Sequence, residues 1–265
     1  MTNIQALILG IIQGLTEFLP VSSSTHLGIA KQLMGIESAV WMVYFDLMCH
    51  FGTLFAVLTL LWKDAWNVLT SIKSIALFTL ALLPLVPAYF LFKPLRILLA
   101  HDAGAFLLCT SALMFLASSK VSIWATVGAD APNSKRELIW RDALWIGIAQ
   151  SFALLPGISR SASTISIARI LGWTWKDAAR FSFLLSIPTI LGGSALETIH
   201  ASLNLASVPW QICIIGFGSS FVMGMVSVRL LFWILEPAGS LNQGSLRPFA
   251  WYCLAVGLIS LVWLR

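Results

Sequence analysis

Charge is what this sequence has least of. Among 265 residues, 16 are Lys or Arg and 11 are Asp or Glu, so only 10% are charged. A soluble domain carries roughly 25%, and so few charges cannot cover a water-facing surface. A soluble globular enzyme is therefore excluded. The 58% hydrophobic share excludes a disordered chain as well. Cysteine is also scarce. Cys49, Cys109, Cys213 and Cys253 each lie inside an apolar run, which argues for helix packing and against a disulfide frame or a thiolate metal site. No Lys or Arg precedes Lys31, so a cleavable signal peptide with a basic start is not expected. P-loop and H-E-x-x-H motifs are missing too.

What is present is long apolar sequence. The runs at 75–92, 104–117 and 212–235 are continuous, whereas an outer-membrane barrel alternates in segments of about ten residues. The expected class is all-α and integral to the bilayer. The net charge of +5 is spread over short loops, as cytoplasmic loops require, so no nucleic-acid partner is expected. Six stretches reach crossing length: 39–62, 75–92, 104–121, 177–198, 209–235 and 248–264.

Two other apolar stretches are interrupted. Residues 2–19 contain Gln13 and Glu17 and stop at Pro20; residues 143–155 contain Gln150 and stop at Pro156-Gly157. Each continues into a Ser-rich turn and a short apolar return, which reads as a re-entrant helical hairpin. Broken backbone at membrane depth is tolerated only where it lines a cavity or is buried in protein. The breaks resemble each other: Leu19-Pro20-Val21-Ser22 aligns with Leu155-Pro156-Gly157-Ile158-Ser159 with one insertion, and the offset afterwards is 137 residues. The expected organisation is a first repeat over 1–121, a polar connection over 122–141 and a second repeat over 142–265. Each repeat is a hairpin plus three crossings. Three is odd, so the halves run in inverted topology. Lys31, Lys93, Arg96 and Arg265 fall on one side and most other basic residues on the opposite one. The positive-inside rule then puts both termini outside.

A few polar groups remain at membrane depth, and each needs a reason. Gln13 and Glu17 are four apart, on one helix face. The alternative is a Glu that snorkels or stays protonated. Ser22, Ser23, Ser24 and Thr25 follow the first break and His26 follows them. One Ser there is an ordinary helix cap. The cluster at a helix start suits phosphate, and a Ser beside a His offers a nucleophile and a proton carrier. A buried, hydrogen-bonded structural His is the plainer reading of His26. Arg160, flanked by Ser159 and Ser161 with Thr164 beyond, must meet an anion. Its planar fork suits phosphate or carboxylate, and a structural pair with Glu17 or Asp46 is the alternative. Asp46, His50 and Thr53 share one face of the first crossing. They line a cavity, support the site from behind, or form a packing seam. Together these groups suit a phosphorylated, amphiphilic substrate reached from the bilayer.

The two broken segments carry a resemblance. Gln13-Gly14-Leu15-Thr16-Glu17-Phe18-Leu19-Pro20-Val21-Ser22-Ser23-Ser24-Thr25-His26 resembles the first signature of the undecaprenyl pyrophosphate phosphatases, the bacitracin-resistance BacA type. The run from Gln150 through Pro156-Gly157-Ile158-Ser159-Arg160-Ser161-Ala162-Ser163-Thr164 resembles the second. His50-Phe51-Gly52-Thr53 and Phe181-Ser182-Phe183-Leu184-Leu185-Ser186-Ile187-Pro188 also fit, and the likeness spans essentially the whole chain. Thr25 and Ala162 stand where the family usually has Gly, Cys253 where it often has Arg, and Gln13 where it has Glu or Gln.

The resemblance implies a multi-pass enzyme of the bacterial cytoplasmic membrane with its site open to the periplasm. It would hydrolyse undecaprenyl pyrophosphate to undecaprenyl phosphate and inorganic phosphate, recycle the lipid carrier of cell-wall synthesis, and confer bacitracin resistance. It would need a divalent cation, Mg²⁺ or Ca²⁺, held by Glu17 with Gln13. Arg160 would clamp the terminal phosphate, and Ser22, Ser24, Ser159, Ser161 and Thr164 would add donors. Either Ser23 attacks with His26 as base or His26 activates water. The partners implied are a polyprenyl pyrophosphate and the bilayer; a homodimer is left open. The competing reading is a transporter or flippase for a phosphorylated lipid or small anion, since inverted repeats with broken helices also mark transporters.

Overall fold

The computed structural model describes residues 1–37, 39–99, 102–119, 139–200, 208–236 and 245–263. The described residues form α-helices and no strand. In chain order these are α1 (Asn3–Phe18), α2 (Ser23–Leu33), α3 (Met42–Leu60), α4 (Trp62–Leu69), α5 (Ile72–Leu82), α6 (Leu85–Leu98), α7 (Ala103–Ala117), α8 (Trp140–Phe152), α9 (Arg160–Ile170), α10 (Trp175–His200), α11 (Trp210–Leu235) and α12 (Arg247–Trp263). Most of the polar stretch at 122–141, most of the 199–208 connection and Arg265 lie outside the described residues.

The side chains sort opposite to those of a soluble protein. Trp62, Ile72, Phe90, Ile199, Trp233 and Val262 are exposed, while Gln13, Thr53, Ser166, Ser220 and Ser227 are fully buried. That pattern costs nothing only where the outer solvent is apolar. Met42–Leu60, Ile72–Arg96, Trp175–Ile199 and Trp210–Leu235 are long and apolar enough to cross a bilayer, and α7 and α12 are shorter apolar helices. The chain is a multi-pass membrane protein.

Two details differ from the sequence reading. The stretch expected at 75–92 is two helices, broken at Leu83 and Pro84. Pro84 lacks an N–H and its ring crowds the preceding turn, so the helix restarts there. The stretch after residue 62, expected as loop, holds the short amphipathic helix α4, whose Trp62, Trp66 and Leu69 are exposed.

The two hairpins form for readable reasons. In the first, Thr2 and Gln5 make a reciprocal cap that starts α1. Leu19, before Pro20, is extended at φ −66°, ψ 143°, and ends it. In the second, Gly157 turns the chain at φ 93°, and the Ser159 hydroxyl accepts from the Ala162 N–H to start α9. The return arms α2 and α9 have 11 residues each, and Ser23 to Arg160 and Leu33 to Ile170 are the same step in sequence. The long arms are held by close backbone approach. A Cβ on Gly10 or Gly14 would collide with Ser219 or with the α11 backbone at Ser220, and one on Gly147 would collide with the Ala81 carbonyl of α5. Small residues of this kind are what allow helices to pack tightly without a hydrophobic drive. Phe18, next to Glu17, sits edge-on to Phe183 of α10, which sits edge-on to Phe232 of α11, with centroids 5.4 and 5.5 Å apart. This aromatic stack ties the end of α1 to α10 and α11 beside the first break.

Candidate active site

The two breaks meet. Ser161 Oγ of α9 donates to the Leu19 carbonyl of the first break at 3.0 Å. Beside that bond, the Arg160 guanidinium donates to Glu17 Oε1 at 2.9 Å. Both side chains are largely buried, at 16% and 6% exposure. Breaking such a pair from one side leaves an uncompensated buried charge. The other carboxylate oxygen, Glu17 Oε2, accepts from Ser23 Oγ at 2.8 Å and from Gln13 Nε2 at 2.9 Å. Gln13 Nε2 also lies 2.9 Å from His50 Nδ1, whose ring stands 3.8 Å from the carboxylate. Four side chains from four helices thus converge on one carboxylate.

These groups border an open cavity of about 220 Å³ lined by Glu17, Ser22, Ser23, Ser24, His50, Ser159 and Arg160, with Thr16, Ala153 and Ile158. Its far wall is α10, through Thr189, Gly193, Ser194 and Glu197. The sequence marks 177–198 as a crossing, with 181–188 part of the family resemblance, and places none of it in the site. The signal was the polar stripe of Ser182, Ser186 and Thr189, at helical spacing within it.

The remaining candidates lie elsewhere. His26 does not line the cavity: its Nδ1 is 2.8 Å from the Ser22 carbonyl oxygen and its Nε2 2.8 Å from the Tyr252 hydroxyl, against whose ring it stacks. Ser23 therefore bonds to Glu17 and not to His26. Asp46 pairs with Lys31 at 2.7 Å, tying α3 to α2. Thr53 donates to the His50 carbonyl. Thr164 lies 2.6 Å from the Ser182 hydroxyl and bonds to its own helix, tying α9 to α10. Of the departures from the family pattern, Thr25 bonds the Ser22 hydroxyl at 3.0 Å, Ala162 is fully buried, and the Cys253 thiol donates to the Pro20 carbonyl at 3.6 Å.

Ser22 has an unusual backbone. Its φ is 70°, the one positive value at a non-Gly residue among the described residues. Such strain is costly and persists where the surroundings enforce it, often at functional sites. Here it sets the start of α2, so that Ser23 and Ser24 face the cavity. Among the described residues no three His, Cys, Asp or Glu side chains cluster to hold a cation unaided. Yet Gln13 Oε1 is buried, has no hydrogen-bond partner there, and belongs to the side chain bonded to Glu17. An orphaned amide oxygen and a carboxylate suit a hard cation whose shell is completed by phosphate oxygens.

The family model of the bacitracin resistance protein BacA matches residues 6–259. The chain belongs to the BacA family. Its relatives include a protein of Protochlamydia amoebophila named undecaprenyl-diphosphatase, 38% identical over the whole of both chains. One of Novosphingobium aromaticivorans with the same name is 34% identical, covering 99% of this chain and 98% of its own. Another, of Methanosphaera stadtmanae, is 32% identical over 98% and 97%. The match spans both broken segments of this BacA-family chain, and so the cavity between them.

Proposed function

We propose that this protein hydrolyses undecaprenyl pyrophosphate to undecaprenyl phosphate and inorganic phosphate, recycling the lipid carrier of cell-wall synthesis and so conferring bacitracin resistance. The observation that carries the reading is the Arg160–Glu17 pair, which joins the two hairpin breaks at a hydroxyl-lined cavity. Family membership and relatives named for this activity support it.

Arg160 binds the terminal phosphoryl oxygens through its planar fork and offsets their charge in the transition state. Ser22, Ser24 and Ser159 add hydroxyl donors around it. Ser23 attacks the terminal phosphorus, and Glu17, 2.8 Å from its hydroxyl, takes the proton. The polyprenyl phosphate leaves, and water then releases phosphate from Ser23. Ser161 and Thr164 hold α9 in place for this chemistry, and His50 with Gln13 orients the Glu17 carboxylate. Gln13 and Glu17 would hold Mg²⁺ or Ca²⁺, which when bound neutralises phosphate charge.

The architecture supports a finer topology: six crossings, two re-entrant hairpins, and inverted repeats over 1–121 and 142–265. The equal step between α2 and α9 supports it. So does the broken pair α5–α6, whose span matches that of α11 after the same step. The membrane is the bacterial cytoplasmic one, and the cavity opens to the periplasm. The test is phosphate release. Purified protein in detergent, given a polyprenyl pyrophosphate and Mg²⁺, is expected to release inorganic phosphate and to stop on adding EDTA. Absence of release would leave a transporter as the better reading.

A further inference from the structure

The same place is built differently beside the two hairpins. At the first, α12 reaches the turn through Cys253, bonded to the Pro20 carbonyl. The preceding residue, Tyr252, stacks on His26 of α2, with centroids 5.5 Å apart and planes 14° apart. At the second, α7 reaches the turn through Thr110, which donates to the Gly157 carbonyl and accepts from the Ser159 N–H, both at 3.2 Å. The residue preceding Thr110 is Cys109, and the α9 residue in step with His26 is Ser163. A thiol and a hydroxyl stand where the first hairpin has two rings.

The space the rings would fill is a groove of about 300 Å³ between α7 and α8, which both pack on α9. Leu113, Trp145, Ile148 and Phe152 make its walls apolar, and Trp145 and Phe152 are half exposed on the outer surface. Its inner end is Ile158, which also borders the polar cavity. Ile158 is followed directly by Ser159 and Arg160. A polar pocket sized for a headgroup therefore runs, past one residue, into an apolar trough open to the hydrocarbon.

We propose that this groove seats the isoprene units next to the pyrophosphate, and that it makes the enzyme selective for long polyprenyl chains. The inference rests on the phosphatase reading, which supplies a substrate with one polar end and one apolar tail. A methyl-branched, uncharged chain suits the groove because its walls offer it no unmatched polar partner. The binding of the tail holds the headgroup against Arg160, and the small residues Cys109 and Ser163 keep the trough open.

The test compares a long polyprenyl pyrophosphate with a five-carbon prenyl pyrophosphate on the purified full chain. Cys109→Phe restores a ring at the groove. It is expected to raise the KM for the long substrate at least tenfold and to move that for the short one less than twofold. Alkylation probes the folded wild-type protein without a mutation, because Cys109 is exposed while Cys49, Cys213 and Cys253 are buried. Phenylmaleimide is expected to give the same chain-length-dependent loss, and to change nothing in Cys109→Ser protein compared before and after treatment. Equal effects on both substrates, or no effect on either, would overturn the groove while leaving the phosphatase standing. No phosphate from either substrate with wild-type protein would overturn the phosphatase reading, and the groove's role with it.

Discussion

Both hairpins turn the chain with one residue at positive φ, and they choose it differently. The second uses Gly157, at 93°, where a Cβ would collide with the Ala103 carbonyl of α7. Glycine is there for lack of room and lack of strain. The first uses Ser22, at 70°, a residue that gains nothing from the conformation but whose hydroxyl lines the cavity. The second turn also has a regular side-chain cap from Ser159, and the first has none. Strain is thus relieved in one hairpin and kept in the other. The hairpin that keeps it carries Glu17 and Ser23. The relieved one carries Arg160.

The sharpest break in this comparison is chemical. Ser23 and Arg160 occupy the same step of the two return arms. Ser23→Ala is expected to lower kcat about 10³-fold or more, as loss of a nucleophile does, at full expression. Arg160→Lys should cost about 10²–10³-fold, because a point charge loses the fork. Activity near wild type would remove Ser23 from the chemistry, and an unchanged kcat would make Arg160 a structural partner of Glu17. Next is the turn itself. Gly157→Ala should destabilise by about 3 kcal/mol, read as a drop in Tm in detergent. Ser22→Gly should stabilise by about 1 kcal/mol while impairing turnover, because the hydroxyl leaves the cavity. Equal destabilisation by both changes would mean that the turns are equivalent. The smallest effect concerns the ring stack. Tyr252→Phe removes one hydrogen bond to His26, worth about 1 kcal/mol, and should lower phosphate release less than fivefold. A hundredfold loss would return His26 to the reaction as the base.

Glu17 and Arg160 were legible in the sequence because a charge at membrane depth is rare and needs a partner. The hairpins were legible because proline stops an apolar run too early for a crossing. Other features were hidden for physical reasons. Several hydroxyls look alike in sequence, yet Ser161 and Thr164 bind helices together while Ser22, Ser23 and Ser24 face the cavity. Helix rotation, set by tertiary packing, decides which is which. Asp46 pairs with Lys31 of α2. Those two residues are 15 apart in sequence, and no local pattern pairs them. The α10 wall of the cavity was hidden inside an apolar stretch long enough to read as a crossing.

The sequence by itself determined the solvent, the helical class, the two broken hairpins and the few charges inside them that each need a partner. Those follow from the cost of placing charge and unpaired backbone in hydrocarbon, which acts on each segment locally. Only the tertiary structure decided that Glu17 would gather Ser23, Gln13 and Arg160 while His26 turned to Tyr252, and that a groove would open beside the second hairpin. Those depend on distances between helices, and glycines such as Gly10, Gly14 and Gly147 set these by removing a single carbon at each crossing.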